Sequence, residues 1–171
     1  MKLARAFGMG ALSMLGVLAV GCGAKKPAVS DLQRKEAAHL ATEAQFAMSL
    51  RDYARAEASL ARAAGLAPDE AGLWVSLGAV RMKLGNKDQA RDAYKRALAL
   101  HVDEAKENKS DPEPWLKQVY VLALLGRKDE GRAMLDRAAK QFPDSRNVKL
   151  FIENKQFDRM LSDPQFKEMG L

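Results

Sequence analysis

The sequence predicts an all-helical fold, and three observations carry that expectation. Of the 171 residues, 29 are alanine and 22 leucine, types that lose little on entering a helix. The β-branched residues that favour sheets are scarce: one isoleucine (Ile152), one threonine (Thr42) and nine valines. Columns of small and large residues also recur along the chain at the spacing of paired helices. The length suits about one domain with a real core. The net charge of +6 is mildly basic, and the single cysteine excludes an internal disulfide.

The first element is an address. Lys2 and Arg5 give a positive start, Ala6 to Ala24 is uncharged but interrupted by glycines, and Lys25-Lys26-Pro27 closes the segment. That is the layout of a secretory signal, and positive flanks at both ends argue against a spanning helix. The run ends in Leu18-Ala19-Val20-Gly21-Cys22, which resembles the lipobox of bacterial lipoproteins. The resemblance implies cleavage before Cys22 and acylation of that cysteine, with Ala19 where leucine is more usual. Acyl chains would anchor the protein without a transmembrane helix. Gly23, rather than Asp, after the cysteine resembles an outer-membrane address. Loss of residues 1–21 removes Lys2 and Arg5 and lowers the charge from +6 to +4. A folded part outside the cytoplasm makes nucleic acid an unsuitable partner. The expected organisation is therefore a signal peptide at 1–21, a lipidated tether at 22–29 and a helical domain at 30–171.

Ser30 with Gln33 forms a capping-box signature ahead of the first helix. The internal period follows. Leu40, Trp74 and Trp115 stand 34 and then 41 residues apart. Ala56, Ala90 and Gly131 keep the same steps, as do Leu60, Tyr94 and Leu135, and Ala63, Ala97 and Ala138. Helices are expected over Leu73–Leu84 and Lys87–Leu100, joined by Gly85-Asn86, with glycine supplying positive φ and Asn86 capping the second helix. Leu116–Leu125, Gly126-Arg127 and Lys128–Gln141 repeat the design. Small residues at Gly78, Ala90 and Ala97 let paired helices approach, while Trp74, Leu77 and Tyr94 fill the space between them. A single pair cannot bury both faces, so neighbouring pairs must stack.

These positions, Trp74-Val75-Ser76-Leu77-Gly78 with Ala90, Tyr94 and Ala97, resemble the tetratricopeptide repeat (TPR). Copies are expected at about 37–70, 71–104 and 112–145. Arg81 stands where tyrosine is usual, and Val119 and Gly131 are unusual at their small-residue positions. The resemblance implies a right-handed superhelical array of three TPR helix pairs with a C-terminal capping helix. The seven extra residues of the longer step, 105–111, fit an exposed loop or an extended helix end. Asp144 is expected to cap the terminal helix. The stretch from Phe157 to Phe166 resembles tails in which Phe and Leu tuck back into the array.

No catalytic constellation is visible. His39 and His101 are far apart in sequence and are expected at the surface or at helix ends; no metal or cofactor site is expected. Asp69-Glu70, Asp103-Glu104 and Asp129-Glu130 suit helix starts. Met48, Met82 and Met134 suit packing. The resemblance places function on a concave face: Ala41, Gln45 and Met48 in copy one, Val75, Ala79, Met82 and Lys83 in copy two, and Leu116, Lys117, Tyr120 and Leu124 in copy three. Ala41, Ser76 and Glu113 do not suit a carboxylate clamp, so an extended or helical peptide is the better fit. The expected role is a non-catalytic scaffold that holds a protein or peptide partner in the cell envelope, with no small-molecule substrate. A pilotin-like or chaperone-like escort is the alternative, followed by a regulatory subunit of an envelope enzyme.

Overall fold

The computed structural model of the protein describes residues 28–171. The signal segment, Cys22 and the tether up to residue 27 lie outside the described residues. Ser30 closes its capping box. Its hydroxyl accepts from the Gln33 N–H at 3.3 Å, and the Gln33 side chain accepts from the Ser30 N–H at 2.9 Å. The first pair is α1 (Asp31–Ser49) and α2 (Tyr53–Leu66), the second α3 (Ala71–Lys83) and α4 (Lys87–Glu107), the third α5 (Glu113–Leu124) and α6 (Lys128–Gln141). Where one capping helix was expected, three short ones follow: α7 (Arg146–Glu153), α8 (Gln156–Ser162) and α9 (Pro164–Met169). Among the described residues there is no strand.

The turn inside each pair is the same Schellman closure. Asn86 N–H donates to the Arg81 carbonyl and Gly85 N–H to that of Met82, at 2.8 and 3.0 Å. Arg127 and Gly126 repeat this on Leu122 and Ala123, and Asp52 and Arg51 on Ala47 and Met48. The closure needs a left-handed residue. Gly85 (φ 80°) and Gly126 (φ 70°) provide it at no steric cost, whereas the first pair forces Arg51 to φ 60°.

The turns between pairs settle the seven extra residues. Glu70 N–H bonds the Ala67 carbonyl, Ser145 that of Phe142, and Asp111 that of Asn108. The third closure comes seven positions later than the repeat would place it. Correspondingly α4 has 21 residues, where α2 and α6 have 14 each. The insertion is two more turns of helix, followed by a short loop.

That extension corrects two expectations. Asp103 and Glu104 lie at the far end of α4 rather than at a helix start, paired with Lys106 at 2.8 Å and His101 at 2.9 Å. His101 is buried, not superficial, because α4 leans on α5 there: Gln118 donates to its carbonyl at 3.1 Å. Two caps also differ. Ser145, not Asp144, caps α7 by accepting from Val148 N–H at 3.3 Å. Asn86 takes the N-cap position of α4 without a side-chain bond, while Asp52, a charged acceptor better matched to the helix dipole, bonds Arg55 N–H at 3.1 Å. Asp129 and Glu130 do fall in the first turn of α6.

Packing follows the columns. Ala37, Leu40, Ala63 and Ala67 form a core within the first pair. Ala44, Ala56, Leu60, Leu77 and Val80 join the first pair to the second, with Met48 and Trp74 against them. Ala90, Tyr94, Ala97, Val119 and Leu124 join the second to the third and to the C-terminal helices. Arg81, on the side of α3 that meets α2, forms a 2.9 Å ion pair with Glu57 that is largely withdrawn from solvent. It thereby ties the second pair to the first where a tyrosine is usual. Another tie is Arg34 of α1, whose guanidinium binds both Asp69 and Glu70 in the α2–α3 turn. Its hydrogen bond holds the Asp69 carboxyl below its ordinary range.

The tightest fit is Gly78 against Tyr94, where an added Cβ would stand 2.4 Å from the ring. Alanine would gain about 0.5–1 kcal/mol in helix propensity, but the ring is fully buried and cannot swing away. Gly78→Ala should therefore lower unfolding free energy by about 1–3 kcal/mol in urea titration; unchanged or raised stability would contradict this packing. Arg51→Gly should do the reverse. It removes about 1–2 kcal/mol of left-handed strain against the smaller backbone entropy cost of glycine, so the urea midpoint should rise.

Candidate protein-interaction groove

The expected groove residues sit on α1, α3 and α5, the first helix of each pair. Gln45 is exposed and Met48 half-buried. On α3, Val75 and Met82 pack against the core shared with the third pair, Ala79 is half-buried and Lys83 remains near the surface. On α5, Leu116 and Leu124 are buried, while Lys117 and Tyr120 are half-buried. The set therefore mixes core and surface. Leu124, 1% exposed, presents its backbone rather than its side chain.

That backbone has a partner. Leu171 N–H donates to the Leu124 carbonyl at 2.8 Å, and the Tyr94 hydroxyl donates to the Met169 carbonyl at 2.5 Å. Both contacts draw α9 across the C-terminal ends of α3 and α5. Phe166, buried to 7% exposure, sets its ring edge-on to Tyr120 with centroids 5.5 Å apart. Glu168 pairs with Lys83. Met169 and Leu171 join the same apolar cluster as Val75, Met82 and Tyr120. Asp163 starts α9 by accepting from Gln165 N–H at 2.7 Å, with Pro164 in its first turn. Burial raises the Tyr94 and Tyr120 hydroxyls above their ordinary pKa, so both stay protonated around neutral pH.

The other end of α5 faces α7. A cavity of about 370 Å³ lies between Glu113, Leu116, Lys117 and Tyr120 on one side and Asn147, Leu150 and Phe151 on the other. Behind it, Phe157 of α8 is buried against Gly131, where a Cβ would come within 2.8 Å of its ring. Arg132 lies over that ring at 5.4 Å. Glycine at this position, a departure from the repeat pattern, is what lets the tail seat. Around α1 the surface stays open: Phe46 and Leu50 are 59% and 62% exposed.

The tail contacts of Phe157 and Phe166 agree with the tucked-back segment expected from sequence. The Glu168–Lys83 pair and the two backbone bonds were missed. Their one sequence signal is the run of Phe166 and Met169 one turn apart on a short helix, with Glu168 between them and Leu171 just beyond its end. Among the described residues no group of three or more His, Cys, Asp or Glu side chains is placed to hold a metal ion. None of their helices is long and apolar enough to cross a membrane.

Two family models, each described as "Tetratricopeptide repeat", match residues 47–107 and 80–146. Together they run across most of the helical array, and the chain belongs to the tetratricopeptide-repeat family. Among solved structures it is similar to the Arabidopsis OM64 TPR domain, at 16% identity and a TM-score of 0.44, over 74% of this chain and 98% of that one. No curated protein matches the sequence. TPR domains bind protein or peptide partners, so the chain is a protein-interaction scaffold at that level of description.

Tyr94→Phe keeps the ring in its Gly78 socket and removes only the bond to Met169, at a cost of about 1 kcal/mol. Amide exchange in residues 166–171 should quicken while α1 and α2 stay unchanged. A uniform rise across the chain would show that the hydroxyl supports the array rather than the tail.

Proposed function

We propose that the protein is a non-catalytic, lipid-anchored scaffold of the bacterial cell envelope. Residues 1–21 act as a lipoprotein signal peptide, Cys22 carries the acyl chains, and residues 22–29 tether the repeats to the outer membrane on its periplasmic side. The repeats hold a protein or peptide partner along the α1, α3 and α5 face. The observation that carries this reading is the placement of Cys22. The chain's one cysteine follows Leu18-Ala19-Val20-Gly21 and precedes the Ser30 cap by eight residues, a tether of the length an anchored domain needs. An interaction domain held at a surface gains effective concentration for partners on the same membrane. The open apolar residues Phe46 on α1 and Leu50 at its C-cap, with Gln45 beside Phe46, give a partner an entry to that face.

Mass analysis of membrane-extracted protein should show a chain beginning at an acylated Cys22, and Cys22→Ala should release the domain from membranes. A full-length, unmodified chain would contradict the anchor. Photocrosslinkers at Gln45 and Lys117 should trap a discrete protein partner, and capture only from the α2, α4 and α6 side would reject the groove.

A further inference from the structure

The groove at the C-terminal ends of α3 and α5 is occupied by the chain's own α9. A six-residue helix is far too short to be stable alone, so its helicity depends on being docked. Its attachments are of the kind partners exchange: an ion pair whose side chains are 32% and 61% exposed, two hydrogen bonds to backbone carbonyls, and the apolar contacts of three side chains. No covalent bond and no deeply buried charge holds it. The contents of the site also describe its chemistry. An aromatic ring meets Tyr120, a carboxylate two residues on meets Lys83, and the methionine and leucine three and five residues on join the apolar cluster that holds Val75, Met82 and Leu124.

We propose that Phe166–Leu171 is a built-in competitor for a docking site. The partner segment that takes this site has the same chemistry: a short amphipathic stretch reading aromatic, any residue, acid, apolar, any residue, apolar. It engages when the tail leaves. This rests on the α1, α3 and α5 face being the interaction surface, and it adds the recognition pattern and the control. A site filled in cis binds in trans with an affinity reduced by the fraction of molecules whose tail is released. A change that loosens the tail without altering the groove therefore strengthens binding.

The test uses the full chain and a fluorescent peptide spanning Asp163–Leu171, read by anisotropy. Glu168→Lys loosens the tail and leaves Lys83 in place, so the peptide should bind about three- to tenfold tighter than to the unaltered chain. Lys83→Glu also loosens the tail but reverses the groove charge. That chain should reject the native peptide and accept one carrying lysine in place of the Glu168 carboxylate. This exchange of preference separates recognition from mere unfolding, and helical circular dichroism checks that both variants remain folded. Equal affinity for the unaltered and Glu168→Lys chains, or no charge preference in the Lys83→Glu chain, overturns the proposal. A concentration-dependent dimer of the unaltered chain that Glu168→Lys abolishes also overturns it, by assigning the site to a second copy's tail. Crosslinks from Gln45 to a partner alongside either negative result would leave the scaffold reading standing and remove only the competitor.

Discussion

The ring of Tyr94 is the contact on which the rest of the structure depends. It lies at zero exposure in the space that the missing side chain of Gly78 opens between α3 and α4. It belongs to the core joining the second pair to the third, and its hydroxyl reaches the carbonyl of Met169. One side chain thus closes a helix pair, couples it to the next pair and seats the tail. Core space is filled to near crystalline density in folded proteins, so none of these roles moves independently of the others.

The same economy explains where the repeats depart from regularity. The seven extra residues extend α4 instead of looping out, because the sequence from Leu98 to Glu107 holds no glycine or proline and strong helix formers (Leu98, Ala99, Leu100, Glu104, Ala105, Lys106, Glu107) outnumber weak ones. The extension carries His101 into the interface with α5, where Gln118 bonds its carbonyl. It also displaces the turn from the tryptophan that follows. Trp74 donates its indole N–H to the Pro68 carbonyl at 3.1 Å, whereas the buried Trp115 nitrogen has no hydrogen-bond partner among the described residues. Trp115 is held instead by its edge-on contact with Phe142 at 5.7 Å.

The helices and their turns were legible because they are local. The glycine turns at Gly85 and Gly126 and the Ser30/Gln33 box each lie within a few residues and appear as expected. The small-residue columns were legible because stacking repeats the same contact at a fixed interval. Less local features were not. Arg51 at positive φ has no glycine to announce it; it follows only from aligning the first turn with the other two. Caps were misplaced by one residue at Asp144, since Ser145 satisfies the same donors. The groove residues named from sequence do lie on α1, α3 and α5, but the packing of α9 against α3 and α5 was invisible. The bond between Leu171 and Leu124, and the pair Lys83 with Glu168, join residues separated by 47 and 85 positions, and neither repeats. The glycine at 131 looked like a defect in copy three and is instead the seat of Phe157.

An array whose α3–α5 face holds its own tail is a different object from an open groove. Core residues such as Leu116 and Leu124 set the shape of that face, and Lys83 and Tyr120 are the side chains that α9 meets there. The most direct measurement is a nuclear Overhauser spectrum of the acylation-free chain in solution, with no partner added. The contact of Phe166 with Tyr120, centroids 5.5 Å apart, predicts cross-peaks between the two rings and from Met169 to Val75 or Met82. Their absence, with the Tyr94 to Gly78 contacts intact, would show an array that folds with its groove empty, and would contradict this description.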